Sequence, residues 1–292
     1  MTARAWSLFV LCSVIWGVPY LFIKIAVDAG IPPAFIAWSR ITLAALLLLP
    51  IALRRGVLRQ LRPRALAIVG YTASETAVPF VLTAAGERYI ASSLTAILIA
   101  TMPLMVALLS LRFVPGERLT RIRIVGLAVG FVGVIALLGI DIAGRRSELL
   151  GAGLVLGATL GYAIAPIIVS RRLSDLDPLG PVTASLLLGA IALLPAALYN
   201  FPTRLPAPAA LWAIGILGVV CTAIGLLAFF RLIADAGASR ASVVTYVNPV
   251  VAVVAGVLTL GEHLSAISVV GLALILVGSW ISTGVAFGGN PS

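Results

Sequence analysis

Read in a window of about 19 residues, the chain resolves into ten apolar blocks, at roughly 5–27, 34–53, 66–86, 90–112, 121–140, 149–170, 178–199, 209–232, 238–260 and 265–286. Each is long enough to cross a hydrocarbon core about 30 Å thick as a helix. Backbone groups that face lipid must bond within their own segment, so the pattern predicts an all-α integral membrane bundle of ten transmembrane helices. No connection exceeds about a dozen residues. That leaves no room for a soluble catalytic or nucleotide-binding domain, and any function has to sit between the helices. The first block begins like a signal sequence, but it is too long for a signal's apolar core and has a counterpart later in the chain. It is therefore read as the first helix.

The two halves of the chain repeat. MP at 102–103 falls over NP at 248–249, and PGERLTRIRIVGLAVGFVGV falls over LGEHLSAISVVGLALILVGS. Gly116 and Glu117 then meet Gly261 and Glu262, and Gly126 and Gly133 meet Gly271 and Gly278. Pro33 and Pro50 bracket the second block as Pro178 and Pro195 bracket the seventh, Gly17 falls over Gly161, and the offset stays at 144 to 146. Five is odd, so two tandem five-helix units must enter the membrane from opposite sides. The expected architecture is a pair of inverted repeats, 1–144 and 145–292, of the kind that holds a substrate near the midplane in many secondary transporters.

Composition agrees with lipid as the solvent: 61% of the residues are hydrophobic and only 10% charged. A net charge of +10 would point to nucleic acid in a soluble chain. Here the positions of the charges decide against it. Fourteen of the 20 basic residues are Arg4 and the arginines of alternate connections, from Arg54 to Arg64, Arg112 to Arg123, Arg171 and Arg172, and Arg231 and Arg240. Lys24, Arg88, Arg145, Arg146 and Arg204 lie near the opposite connections, and Arg40 lies inside a block. The excess marks the cytoplasmic side, so both termini are expected there, with the bilayer and not nucleic acid as the partner. Cys12 and Cys221 are single residues in apolar blocks and read as packed, reduced thiols.

Several short patterns resemble one family. They are Trp16–Gly17 followed by Lys24, the P-x-x-x-A-x-x-R of Pro33, Ala37 and Arg40 running into LLLLP, the NP of Asn248 and Pro249, and the GE that ends in Glu117 and Glu262. Together they resemble the EamA-type branch of the drug/metabolite transporter superfamily over nearly the whole chain. That resemblance implies a ten-helix fold, a bacterial inner-membrane location and export of small metabolites. Within the branch the chain is similar to YddG-type exporters of aromatic amino acids.

Polar groups at membrane depth are costly, which makes each a functional candidate. Glu75 lies about nine residues into the third block, about 14 Å along a helix and so near the midplane. Tyr71 and Ser74 share its face. A carboxyl there can bind a substrate amine, carry a proton or hold a neighbouring helix. Trp16, Tyr20 and Lys24 recur every four residues as one stripe. Lys24, the sole lysine, either snorkels to the outer interface or joins Arg40 in a basic vestibule. Pro103 and Pro249 are expected to remove a backbone hydrogen bond near mid-membrane and so to act as hinges. In SVVTYVNP, Ser242, Thr245, Tyr246 and Pro249 fall on one helical face. Trp16, Tyr71, Tyr162 and Tyr246 compute to middle depths, suggesting a cavity for a planar amphipathic ligand.

Other signals point away from chemistry. GAGLVLG has the wrong spacing for a dinucleotide loop and lies within a span. Its Gly153 and Gly157, with Gly161, read as a close-packing face. His263 is the lone histidine, so no usual zinc site is expected, and no nucleophile set shares a depth. Glu117 and Glu262 read as structural acids near helix N-termini. No cofactor and no enzymatic activity are expected. The expected function is alternating-access export of amino acids, aromatic ones foremost, and related small metabolites, with a small molecule as the partner and the oligomeric state left open by the sequence, a monomer being compatible with it. The rival is a proton-coupled multidrug exporter in which Glu75 carries the proton.

Overall fold

The computed structural model describes residues 2–113, 120–138, 145–237 and 241–283. Glu117, Arg118 and Arg240 lie outside the described residues. Every regular element among the described residues is helical. With helical segments that follow one another without a loop taken together, ten rods appear: α1 Ala3–Asp28, α2 Pro33–Arg55, α3 Val57–Gly86, α4 Ser92–Phe113, α5 Arg121–Ala136, α6 Arg146–Leu173, α7 Leu179–Tyr199, α8 Pro208–Ala236, α9 Val244–Leu260 and α10 Ala266–Thr283. Seven of them (α1, α2, α3, α4, α6, α7 and α8) are long and apolar enough to cross a membrane, and α9 and α10 are shorter apolar helices. Large apolar side chains point outward along their length, among them Leu66 (85% exposed), Ile135 (67%) and Leu258 (78%). Water would penalise such a surface, whereas lipid solvates it.

Ion pairs gather at the rod ends. Arg64 pairs with Asp175, Arg55 with Asp177, and Asp235 with Arg4 and Arg231 at one end, while Lys24–Asp28 and Arg145–Glu148 lie at the other. The ends are also where the chain meets its caps. Thr2 accepts from the Ala5 amide at the start of α1, and Gly56 takes a left-handed φ of 66° to end α2.

Helices from the two halves interleave. α5 makes its most extensive contact with α10, and α2 with α7; α3 packs on α6 as α8 packs on α1. Glycine sets the closest approach. A Cβ on Gly126 would lie 2.5 Å from the Ser282 nitrogen, and one on Gly133 would lie 2.8 Å from the Gly271 carbonyl. The residues that mark the repeat in sequence therefore meet across the α5–α10 seam. The glycine face expected on α6 is only partly present. Gly161 sits against Ser74 and Pro79 and Gly157 near Leu82, but a Cβ on Gly153 would meet nothing within 4 Å. The close contact near that end of α6 is made by Gly151, against Tyr89 and the Gly86 carbonyl.

Three rods contain whole stretches wound as π-helix, at Thr72–Ala77 in α3, Val169–Leu173 in α6 and Leu217–Ile224 in α8, and residues 137–138 directly after α5 are wound the same way. The first and third are separated by 145 positions at their starts, the repeat offset itself. In α3 the hydroxyls of Thr72, Ser74 and Thr76 donate back to the carbonyls of Ile68, Gly70 and Thr72. In α8, Thr222 reaches back five residues to the Leu217 carbonyl at 2.8 Å. Such back-bonding competes with the regular ladder and widens the turn.

Candidate functional site

A cavity of about 570 Å³ lies inside the bundle, within the range of small-molecule sites. Side chains from α1, α2, α3, α4, α6, α7, α8 and α9, with Ser242 in the turn before α9, line it, and no described residue of α5 or α10 does. Its walls run from Ile23, Thr83 and Ala96 at one end to Ser170 and Ser242 at the end where Arg64 meets Asp175.

Two ionisable groups of opposite kind, a guanidinium and a carboxyl, face this space. Arg40 is 9% exposed; its Nε donates to Thr222 Oγ1 at 2.8 Å, and its guanidinium carbon lies 3.9 Å from the Phe80 ring centroid. Those contacts fix the planar fork while leaving its terminal amino groups for a ligand. Glu75, half-buried in the π stretch of α3, is the carboxylate of the cavity. Among the described residues it forms no ion pair within 4.0 Å with Arg40 or any other cation. The site thus holds a guanidinium and a carboxyl that do not meet by contact.

Aromatic rings complete the walls. Trp16 donates from Nε1 to the Cys221 carbonyl at 3.1 Å and lies 4.6 Å from the Phe229 ring. Next to Trp16 the rod α1 is interrupted at Val18 and restarts at Pro19, where the proline leaves one backbone donor missing. A Cβ on Gly17 would strike Val251, so α9 presses directly on the break. Asn248 ties the same crossing: its amide donates to the carbonyls of Ser13 at 3.2 Å and Val244 at 2.9 Å.

Trp16, Tyr20, Arg40, Tyr71, Glu75, Pro103, Tyr162, Thr245 and Pro249 all line the cavity. Three expected residues do not. Ser74 is turned into its own helix and donates to the Gly70 carbonyl. Tyr246 is half-buried away from the cavity wall. Lys24 does not share a vestibule with Arg40: its Nζ donates to the Glu87 carbonyl at 3.0 Å and pairs with Asp28 at 2.8 Å, bracing α1 against the end of α3.

The hinge prolines are not equivalent. Pro249 stands inside α9, as expected, but α4 is interrupted at Ala100 and Thr101, and Pro103 lies in the first turn of the segment that restarts at Met102. A proline there removes no intrahelical bond. Glu262 is structural, yet it serves another helix than its own. Its carboxylate accepts from the Ser92 amide (2.7 Å), the Ser92 hydroxyl (2.8 Å) and the Ser93 amide (2.9 Å), capping α4. Burial pushes this carboxyl up, but those bonds outweigh it and hold it below the ordinary range.

Phe80, Thr83, Thr222 and the hydroxyl pair Thr76–Ser185 (3.1 Å) are site features that the sequence reading passed over. The π stretch explains the first two. It adds a residue to the turn, so the stripe of Tyr71 and Glu75 continues on Thr76, Phe80 and Thr83, one position later than a regular α-helix would put it. Following the i, i+4, i+7 spacing onward from Thr76 finds both.

The EamA-like transporter family model matches this chain twice, over residues 4–139 and 149–284. The chain is 31% identical over 267 residues to YedA, an uncharacterized inner membrane transporter of Escherichia coli K12, covering 90% of this chain and 85% of that one. It is 30% identical over 289 residues to a probable terminal-alkyne amino-acid exporter of Streptantibioticus cattleyicolor, covering 95% and 92%. An uncharacterized transporter of Archaeoglobus fulgidus is 29% identical over 279 residues, covering 95% and 98%. A crystal structure superposes with a TM-score of 0.68 over 98% of this chain and 99% of its own, at 20% identity, a likeness of fold alone.

Proposed function

We propose, from the premise that this chain belongs to the EamA-like transporter family and is a membrane transporter of small molecules, that its substrates are amino acids, aromatic ones foremost, exported by alternating access. The observation that carries the reading is the joint presence of Arg40 and Glu75, uncoupled by contact, in one cavity with aromatic walls. A zwitterion satisfies both at once: its carboxylate meets the guanidinium fork and its ammonium meets the carboxylate. The rings of Trp16, Tyr20, Tyr71, Tyr162 and Phe80 suit a planar side chain. The relative named as an amino-acid exporter supports the same substrate class. A purely cationic drug gains nothing from Arg40 and is repelled by it.

The transport cycle follows from the architecture we infer: ten crossings in two inverted repeats, 1–144 and 145–292, with both termini cytoplasmic. The swapped packing of α3 on α6 and α8 on α1, and the paired π stretches, support a two-fold relation between the halves. In that topology the cavity reaches the cytoplasmic ends at Ser170 and Ser242, a state ready to load from inside. The α4 interruption before Pro103 and the proline at 249 then act as the flexing points.

Reconstituted vesicles loaded with labelled amino acids and, separately, cationic drugs test the reading. Efflux of aromatic amino acids supports it, and drug-only efflux overturns it. Reporter fusions after residues 60 and 283 should read cytoplasmic and one after 144 periplasmic; opposite signals at 60 and 283 would contradict the inverted repeat.

A further inference from the structure

Glu87 stands one residue past the end of α3, outside the substrate cavity, and is 0% exposed. Neither of its carboxyl oxygens has a hydrogen-bond partner among the described residues. A buried carboxylate without donors is costly, and the neutral acid is the form such a setting accepts. The nearby cation does not neutralise it: Lys24 spends its ammonium on Asp28 and on the backbone carbonyl of Glu87. The other charged and titratable groups acting on it are Tyr20 and Asp28 from α1, Arg40 from α2 and Glu262 from the connection before α10. From α6, which packs on Gly86 through Gly151 and Val155, the charged pair Arg145–Glu148 lies at the exposed start of the helix. Burial pushes the Glu87 carboxyl well above its ordinary range; Lys24 and Arg40 oppose this, and Glu262 and Asp28 add to it.

One turn earlier on the same face is Thr83, whose carbonyl accepts from the Glu87 amide at 3.0 Å. Its buried hydroxyl stands beside the Tyr162 phenol of α6, and both residues line the cavity, Thr83 at its outer end. Two free carboxyl oxygens are too few to replace the shell of a metal ion, which takes about six or more. They suffice for a proton.

We propose that Glu87 is the site where this transporter binds a coupling proton, loaded from the outer face when the Lys24 and Glu262 braces part and released into the cavity past Thr83. The inference rests on the export reading above for its direction, not for its chemistry. An O–H bond forms on one carboxyl oxygen in the outward-open state. It breaks once the cavity opens inward, so that one proton enters for each substrate that leaves. Closure of the outer face re-forms the braces around the protonated acid before that proton leaves inward.

The test has two readouts on the purified full chain. Infrared titration of the protein without substrate is expected to show a protonated carboxyl band at neutral pH that is absent in Glu87→Gln and retained in Glu87→Asp. Melting temperature checks that both variants fold. No difference in that band between wild type and Glu87→Gln would overturn the site. The second readout is accumulation of labelled L-phenylalanine in acid-inside vesicles with the membrane potential clamped. Wild type should concentrate it up to about tenfold per pH unit, as one proton per substrate allows, while Glu87→Gln equilibrates it without concentrating it. Equal accumulation by both, or mere equilibration by wild type, would overturn the coupling. No phenylalanine movement in wild type would sink the substrate reading, with the infrared band still deciding the proton site.

Discussion

The α5–α10 seam and the α3–α8 walls come from the same repeated sequence and have opposite mechanical character. Along the seam, backbone lies on backbone: Gly126 and Gly133 face Gly278 and Gly271, and a Cβ on Gly278 would come within 2.5 Å of the Gly126 carbonyl. The described residues of both helices are regular at these contacts and stay out of the cavity. Along the walls, α3 and α8 depart from regular winding where Glu75, Cys221 and Thr222 face the cavity. Close glycine packing gains dispersion without side-chain entropy and leaves no slack. A widened turn held by serine and threonine hydroxyls can redistribute its bonds at small cost. On the proposed reading, the seam is scaffold and the bulged walls are where binding and movement occur.

The largest expected effect breaks the seam. Gly126→Val or Gly278→Val forces a side chain into a neighbouring backbone and should cost about 3 kcal/mol or more, seen as loss of monodisperse protein and a steep fall in melting temperature. Gly153→Ala, with open space around the position, should leave both unchanged. Comparable damage at Gly153 would erase the contrast.

Next come the wall charges. Arg40→Gln and Glu75→Gln should each weaken binding of a zwitterionic amino acid by tenfold or more, in line with about 1.5 to 3 kcal/mol for a charged hydrogen bond. The melting temperature should hold or rise, because each change removes a charge from the interior. Loss of stability with binding intact would make these residues structural.

A smaller, kinetic effect is expected at the prolines. Pro249→Ala restores a donor inside α9 and should slow transport several-fold with normal binding. Pro103→Ala should do less, since Pro103 occupies a helix start where no bond is missing. Equal slowing would return the two to symmetric hinges.

The smallest effect concerns the rod ends. Hydrogen bonds from Arg64 hold the exposed Asp175 carboxyl below the usual range. A depressed carboxylate contributes stability above its unfolded range and loses it as pH falls through the folded value. Asp175→Asn should therefore lower the melting temperature slightly at neutral pH and not at all in acid, as an exposed pair allows.

Much of this was legible in the sequence because lipid imposes simple rules. The apolar blocks marked the rods, and the glycine and proline offsets marked the repeat. The cost of burying polarity picked out Glu75 and Arg40, which line the cavity with Trp16, Tyr71 and Tyr162, although Arg40 was expected in a vestibule with Lys24 and Tyr246 was expected on the wall. Three things were hidden for physical reasons. The π stretch shifts the face of α3 by one residue, which moved Ser74 off the wall and brought Phe80 and Thr83 onto it. Lys24 and Arg40 lie at similar sequence depth but on rods that point them differently, one to an outer brace and one to the cavity. Glu262 caps another helix and Lys24 reaches the backbone carbonyl of Glu87, and sequence distance gives no hint of either.

The most direct test of the central claim is equilibrium binding of L-phenylalanine, phenethylamine and 3-phenylpropionate to purified wild type and Arg40→Gln. Recognition of both ends of a zwitterion predicts that wild type binds phenylalanine at least tenfold more tightly than either one-ended analogue, and that Arg40→Gln brings phenylalanine down to the level of phenethylamine. Phenethylamine binding as tightly as phenylalanine to wild type would contradict the account and favour a site built for cations.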